Sequence, residues 1–476
     1  MEHHIFNKVL LRKYDVRGIY GRDLAEEDAY FFGLTYATFS AGEFEKNNGE
    51  NGKYEKKIVV GYDGRVSSPS LHKRLIQGIL DAGVDVVDLG LVSSPMVCYG
   101  AELLNAISCV ATTASHNPKE YNGFKFDFKG KPFFDEQILH LAEMAKDIEK
   151  SNESGSYSKY DIANDYISHI LNGISVKSGM QVLFDCGNGA TGEIIKKLCK
   201  TMQEKYNIVA DAIFTDIDGN FPNHHPDPTV RKNMEILTQK VIEGKYDLGI
   251  GFDGDGDRIG IIDNKGQMLY GDQILLILAK EIIKTHPQAK IVAEVKASKV
   301  VYDGIRQVGG VPIMSKIGHT YIRKVMDEEG ALLGGETSGH IFFNDKFNGV
   351  DDAIYVAMRM IDVLAKTDKK MSDFLAEIPT TFCTHDLKLE IDESDKFAII
   401  GRIAENLKND GKNFNDLDGI RIDTNDGWWM IRASNTQNIL VGRCESKKEE
   451  GLEKLKIEFE KYLKQAGYQQ KINFDD

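Results

Sequence analysis

The chain has 476 residues, 42% of them hydrophobic and 28% charged, with a formal net charge of −14. That balance is globular, the length exceeds one ordinary core so that three or four domains are expected, and the negative charge argues against nucleic acid and anionic membrane surfaces as partners. Six cysteines (98, 109, 186, 199, 383 and 444) lack Cys-x-x-Cys spacing, no apolar run reaches roughly 18 residues, and Met1–Phe6 has no basic start, so a cytoplasmic protein with reduced thiols, no zinc site, no signal peptide and no membrane span is expected.

In chain order, Glu43–Lys57 is rich in Asn, Gly, Lys and Glu and reads as an exposed, mobile loop. Ile58–Asp63 has a buried-strand pattern, Leu71–Leu80 has helical spacing, and Val84–Gly90 returns as a strand, which makes one β-α-β step. The string Thr112-Thr113-Ala114-Ser115-His116-Asn117-Pro118 places a hydroxyl beside a histidine. Taken alone it could be a loop of small polar residues ended by proline; it is not the Gly-x-Ser-x-Gly elbow of a hydrolase. Tyr121–Phe126 then suggests a hairpin that carries Lys125, a cation close to that hydroxyl in sequence.

The polar stretch Lys150–Ser156 precedes a helix opening a second domain. The strand–glycine–helix grammar recurs at Met180–Phe184, Gly187–Ala190 and a helix from near Gly192, and again at Ile291–Val295 with a helix over Lys299–Gln307. Three such units suggest three related α/β domains. Between the second and third, Asp253, Asp255 and Asp257 alternate with glycines between two apolar runs, reading as strand, loop, strand. Three carboxylates so close repel unless a cation lies among them, and oxygen-only ligands favour Mg²⁺ over zinc. An EF-hand would need Gly at its sixth position and Glu at its twelfth, where Arg258 and Asn264 stand. A helix from Gly271 opens the third domain, a helix spans Asp352–Leu364, and a final domain begins near Pro379.

Four separated strings resemble, in order and spacing, those of the α-D-phosphohexomutase family, nearest its phosphomannomutase/phosphoglucomutase branch: Thr113–Pro118, Asp253–Arg258, Gly335-Glu336-Thr337-Ser338-Gly339-His340, and Arg432-Ala433-Ser434-Asn435-Thr436. Lys13–Gly18, with Tyr14 and Arg17, is a fifth. The resemblance covers essentially the whole chain. It implies a four-domain architecture, three related α/β domains with mixed sheets plus a smaller C-terminal α+β domain, with boundaries expected at 1–158, 159–269, 270–378 and 379–476. A site built from loops of all four would lie in a central cleft, which small domain rotations could open.

The implied reaction moves a phosphoryl group reversibly between the 1- and 6-positions of a hexose phosphate. By similarity, phosphorylated Ser115 gives its phosphoryl group to the sugar, and the resulting bisphosphate turns over and returns the other phosphate. One Mg²⁺ would be held by Ser115, Asp253, Asp255 and Asp257, with hexose 1,6-bisphosphate as activator. A loose phosphoryl transition state needs charge and positioning, which Arg17, Lys125 and Arg258 can supply, while Lys125, His116 and His340 are candidates for proton transfer, Lys125 first and His340 second. Glu336 and Ser338 present an acceptor and a donor/acceptor for adjacent ring hydroxyls; the family's pair binds O3 and O4, so glucose and mannose could both be accepted. Tyr14, Lys316 and His319 match further substrate-contact positions. Arg432, Ser434, Asn435 and Thr436, assisted by Arg443, read as a phosphate cradle. Here the chain departs from the family wording, with Ala433, Gln437 and Asn438 where Pro, Glu and Pro are usual. A phosphosugar would have to be drawn in by these local cations, against the overall field. The other readings are a phosphoglucosamine mutase, a metal-dependent phosphatase, or a phosphosugar-binding protein without turnover.

Overall fold

The computed structural model describes residues 2–46, 52–392, 394–434 and 438–474. The chain packs as two compact units, Met1–Ile274 with Ser338–Phe374, and Leu275–Thr337 with Leu375–Asp476.

The first unit contains two mixed sheets. One runs in the order Val16–Ile19, Tyr121–Phe128, Ala106–Thr112, Glu55–Tyr62, Asp85–Leu91 and Tyr157–Lys159, with Lys131–Phe133 added beside Tyr121–Phe128. The expected β-α-β step forms over Glu55–Tyr62, Ser68–Asp81 and Asp85–Leu91, its two strands parallel. The antiparallel pair Ala106–Thr112 and Tyr121–Phe128 is joined by the loop that carries Ser115, so that loop springs from the end of a fully buried strand. Strand Val16–Ile19 pairs antiparallel with Tyr121–Phe128, which sets Arg17 opposite Gly123.

Helix Glu26–Lys46 lies against helix Ser68–Asp81 at close range because glycines face the crossing: a Cβ on Gly33 would stand 2.2 Å from the Leu75 carbonyl oxygen, and one on Gly78 would stand 2.0 Å from that of Tyr30. Phe32, Phe124, Phe126 and Phe133 fill the core beneath. This helix corrects the expectation of a loop over Glu43–Lys57 at both ends. The helix continues through Glu43, with Lys46 Nζ 2.7 Å from Glu43 Oε1. The strand begins at Glu55, whose amide donates to the Asn105 carbonyl at 2.8 Å. Packing and pairing at the flanks override local polarity, while residues 47–51 lie outside the described residues.

The second sheet has the order Met268–Leu269, Ile259–Asp263, Leu248–Phe252, Gln181–Asp185 and Val209–Ile213. Leu248–Phe252 and Ile259–Asp263 form an antiparallel hairpin with every residue buried, and the Asp253–Arg258 loop closes it. Helix Gly192–Tyr206 follows the first strand of this sheet as expected. Strand Tyr157–Lys159 had no signal in the sequence: its three residues are exposed, and only parallel pairing with Asp85–Leu91 makes them a strand.

In the second unit, Lys290–Glu294 is flanked in parallel by Val311–Ser315 and Leu333–Gly335, with helices Lys299–Gln307 and His319–Glu329. The C-terminal sheet is antiparallel, in the order Phe382–Cys383, Ile439–Ser446, Trp428–Ala433 and Ile420–Asp423, with Leu387–Glu390 also against Ile439–Ser446. Helices Lys396–Asn409 and Glu449–Gln465 enclose a core around Trp429 and Phe459. Arg421, 2% exposed, ties this sheet to the segment after Glu294 by donating to the Val295 and Ala297 carbonyls.

Candidate active site

Ser115 is 1% exposed and sits at φ 51°, a left-handed conformation that a non-glycine residue holds only when its surroundings force it. The force comes from Arg65, which is itself buried. Its Nη2 donates to the Ser115 and Asn117 carbonyls, both at 2.7 Å, and its Nη1 donates to those of Pro118 and Tyr121 at 2.7 and 3.0 Å. Asp63 accepts from Arg65 Nε at 3.2 Å and from Thr113 Oγ1 at 2.8 Å, and Thr113 Oγ1 in turn accepts the Ser115 amide at 2.9 Å. The loop therefore closes on a buried guanidinium. Neither Asp63 nor Arg65 was singled out from the sequence. The signal available was weak, an Asp-Gly-Arg at the end of a buried strand.

The Asp253–Arg258 loop meets this loop directly. Ser115 Oγ donates to Asp253 Oδ2 at 2.8 Å and lies 3.2 Å from His116 Nδ1. A Cβ on Gly254 would stand 2.5 Å from the Ser115 carbonyl oxygen, so only glycine permits the approach. Asp253 Oδ1 is turned inward, accepting the amides of Gly256, Asp257 and Arg258 at 3.0, 3.1 and 3.2 Å. Asp253, Asp255 and Asp257 are all buried, and one carboxylate oxygen from each lies within 4.8 Å of the others.

These carboxylates fit a divalent cation. Among the described residues, the Oδ1 atoms of Asp255 and Asp257 are buried without a hydrogen-bond partner, a costly arrangement that oxygen ligation to a cation would relieve. Lys125 Nζ neutralises part of the charge, donating to Asp255 Oδ2 at 2.7 Å and to Asp257 Oδ2. Burial would pull Lys125 down, but Asp255 and Asp257 hold it well above the ordinary lysine range. Burial pushes Asp253 up, reinforced by the two neighbouring carboxylates. Burial acts the same way on Asp257, but Lys125 and His340 overcome it and keep it low. His116 is held neutral, well below the usual histidine value, by burial and then by Arg258 and Arg17.

Around this centre, Arg17 Nη1 donates to Asn117 Oδ1 at 2.7 Å and Nη2 pairs with Asp15. Tyr14 is half-buried in the bend before that strand. Arg258 Nε donates to His340 Nε2 at 3.3 Å, His340 Nε2 stands 3.5 Å from Asp257 Oδ1, and Ser338 Oγ is 3.0 Å from His340 Nδ1. The first unit thus gathers Ser115, His116, Arg17, Lys125, Arg258, Ser338, His340 and the three aspartates.

The second unit holds the remaining candidates. Glu336, 3% exposed, accepts the Gly318 amide at 2.6 Å, just ahead of helix His319–Glu329 and two residues after Lys316. Arg432 Nε lies 3.2 Å from Asp418 Oδ1, and Asp418 Oδ2 accepts the Ile317 amide at 3.0 Å. The same carboxylate therefore touches the Arg432 guanidinium and the Lys316–His319 segment. Ser434 donates its amide to the Ile439 carbonyl at 3.0 Å, and Arg443 Nη2 stands 3.9 Å from Glu445 Oε2. Asn435 and Thr436 lie outside the described residues. Two polar residues here escaped the sequence reading, Glu294 and Lys296. Lys296 Nζ is 2.9 Å from Asp386 Oδ2, and nothing in the Glu-Val-Lys string distinguishes it from an ordinary strand end.

All four parts of the chain match domains of known proteins. Residues 8–152, 164–266 and 270–382 match the phosphoglucomutase/phosphomannomutase alpha/beta/alpha domains I, II and III, and residues 387–461 match the C-terminal domain of the same family. The chain is 38% identical over 455 residues to a phosphomannomutase/phosphoglucomutase of Pseudomonas aeruginosa, covering 96% of this chain and 95% of that one. It is 34% identical over 454 residues to a phosphoglucomutase of Neisseria meningitidis, covering 94% and 95%. A crystal structure of a phosphoglucomutase/phosphomannomutase family protein from Burkholderia thailandensis superimposes with a TM-score of 0.90 at 32% identity, covering 99% of this chain and all of that one. With matches spanning all four domains at this identity, the chain belongs to the phosphoglucomutase/phosphomannomutase family.

Proposed function

We propose that this protein interconverts hexose 1-phosphates and 6-phosphates, glucose and mannose among them, through a phosphorylated Ser115 and a hexose 1,6-bisphosphate intermediate. The observation that carries the reading is the hydrogen bond of Ser115 Oγ to Asp253 at 2.8 Å, from a serine held in a left-handed conformation. Each half-reaction breaks one phosphorus–oxygen bond and forms another. A proton leaves the attacking hydroxyl, and one arrives on the oxygen that departs.

Asp253, Asp255, Asp257 and the Ser115 oxygen would hold Mg²⁺, which when bound neutralises charge on the phosphoryl oxygens. Arg17 and Arg258 add positive charge for the same oxygens, and Asn117 orients Arg17. Lys125, 2.7 Å from Asp255, is the first candidate to move the proton between the attacking and departing oxygens. His340, beside Arg258 and Ser338, is the second. His116, kept neutral beside Ser115, orients the serine hydroxyl. Glu336 and Ser338 take ring hydroxyls, while Arg432, Ser434, Asn435, Thr436 and Arg443, with Tyr14, Lys316 and His319, bind the sugar and the phosphate that is not reacting. Binding through hydroxyls and the distal phosphate leaves C2 ungripped, which admits both glucose and mannose.

The test is a coupled assay on glucose 1-phosphate, mannose 1-phosphate and glucosamine 1-phosphate with hexose 1,6-bisphosphate present, inorganic phosphate being measured alongside. The expected outcome is 6-phosphate formation from the first two with no matching phosphate release, and loss of nearly all turnover in Ser115→Ala with an unchanged melting curve. Phosphate release equal to substrate loss would show a phosphatase instead.

A further inference from the structure

Glu294 closes strand Lys290–Glu294 and is 1% exposed. Its Oε1 accepts two bonds from one residue of the 335–340 loop, the Thr337 amide at 2.8 Å and the Thr337 hydroxyl. Thr337 directly follows Glu336, whose own carboxylate is occupied by the Gly318 amide at 2.6 Å. Two buried carboxylates thus hold consecutive residues, one fixing Glu336 from the 318 side and the other fixing the peptide that leaves it. The support behind Glu294 is stiff, because Arg421 binds the Val295 and Ala297 carbonyls and Glu445 accepts the Ser298 hydroxyl at 2.7 Å and the Lys299 amide at 3.2 Å.

We infer that Glu294 is a positioning residue for sugar recognition, clasping Thr337 so that the Glu336 carboxylate is presented to the sugar hydroxyls. This rests on the reading of residues 335–340 as the sugar-binding loop. A charged acceptor holds an amide and a hydroxyl about twice as strongly as a neutral one, so the clasp is firm only while Glu294 is ionised. Burial pushes Glu294 up to about 7; Lys296 opposes this and Glu336 adds to it. Asp386 and Arg443 face Lys296 in turn, with opposite effects on its charge. The clasp therefore loosens as Glu294 takes up a proton, and the grip on the sugar weakens toward acid without a change in the chemistry at Ser115.

The experiment measures glucose 6-phosphate binding by calorimetry, and KM and kcat in the coupled assay, from pH 6 to 8.5 for wild type, Glu294→Gln, Thr337→Val and Thr337→Ser. Each variant is read as a ratio to wild type, so that titration of the substrate phosphate cancels. Glu294→Gln is expected to weaken binding about fivefold at pH 8.5 and to approach wild type at pH 6, with the change in KM and not in kcat. Thr337→Val should lose part of the affinity, and Thr337→Ser, which restores the hydroxyl, should regain it. A ratio near one at pH 8.5, or a loss that is the same at every pH, overturns the role of Glu294 while leaving the mutase reading intact. Failure of the wild type to bind or convert glucose phosphate overturns both.

Discussion

The Arg65 guanidinium donates to the main-chain carbonyl of Ser115 at 2.7 Å, so the serine proposed as the nucleophile is held by a side chain fifty residues earlier. Arg65 also reaches the carbonyls of Asn117, Pro118 and Tyr121, and the Asp63 carboxylate. A lysine keeps the charge but has three donors in place of five and no planar fork. Arg65→Lys should lower kcat at least ~10-fold through a relaxed serine loop, and should cost about 1–3 kcal/mol for the carbonyl groups left unsatisfied. Steady-state kinetics beside urea unfolding measure both; wild-type kcat in a properly folded variant would refute the loop-holding role.

Removal of divalent cation gives a second test. Chelation should abolish turnover and Mg²⁺ should restore it. Because the folded carboxylates repel one another without a cation, Mg²⁺ at 100 times its Kd should also stabilise the fold by about 2.7 kcal/mol, seen as a rise in melting temperature. Identical melting curves and rates with EDTA and with Mg²⁺ would count against the role given to Asp253, Asp255 and Asp257.

Glu336 serves two ends in this structure, since it is proposed to bind sugar hydroxyls and it accepts the Gly318 amide. Two substitutions separate them. Glu336→Gln keeps an acceptor for the amide and should raise KM about 10-fold with little loss of stability. Glu336→Ala should raise KM at least as much and also cost about 1–3 kcal/mol, because a buried amide is left without an acceptor. An unaltered KM in both variants would remove Glu336 from sugar binding.

Asp352 makes a prediction about pH that is independent of catalysis. It caps helix Ala353–Ala365 by accepting the Tyr355 amide, and it accepts the Tyr166 hydroxyl at 2.7 Å. Burial nevertheless pushes it up from 3.8 to about 6. A carboxyl whose folded value is raised binds more protons folded than unfolded between those limits, so stability falls as pH rises through that window and is flat above it. The loss amounts to about 3 kcal/mol, taking 1.36 kcal/mol per unit. Asp352→Asn retains a capping side chain without the charge. The stability of Asp352→Asn relative to wild type should therefore climb between pH 4 and 6 and level off beyond, as followed by urea unfolding; a difference independent of pH would refute the buried-charge account.

The motif loops were legible in the chain because their chemistry demands particular residues at close spacing. Three aspartates separated by glycines, and a hydroxyl beside a histidine, keep their meaning whatever surrounds them. The strands and helices around them were legible for a related reason: fully apolar runs such as Leu248–Phe252 and periodic segments such as Gly192–Tyr206 state their own burial. Strand Tyr157–Lys159 is the counter-example, since exposed residues carry no period and pairing alone makes the strand.

What only the tertiary structure decided is which ordinary-looking residues hold the motifs in place. Arg65 and Asp63 reach the serine loop, Lys125 joins Asp255 and Asp257, and Glu294 reaches Thr337, across 43 to 132 positions of sequence. A buried arginine or glutamate has the same letter as a solvated one. Its partners are set by where folded strands end, so the sequence alone determined the chemistry available to this protein, and the packing determined which side chains hold that chemistry in working order.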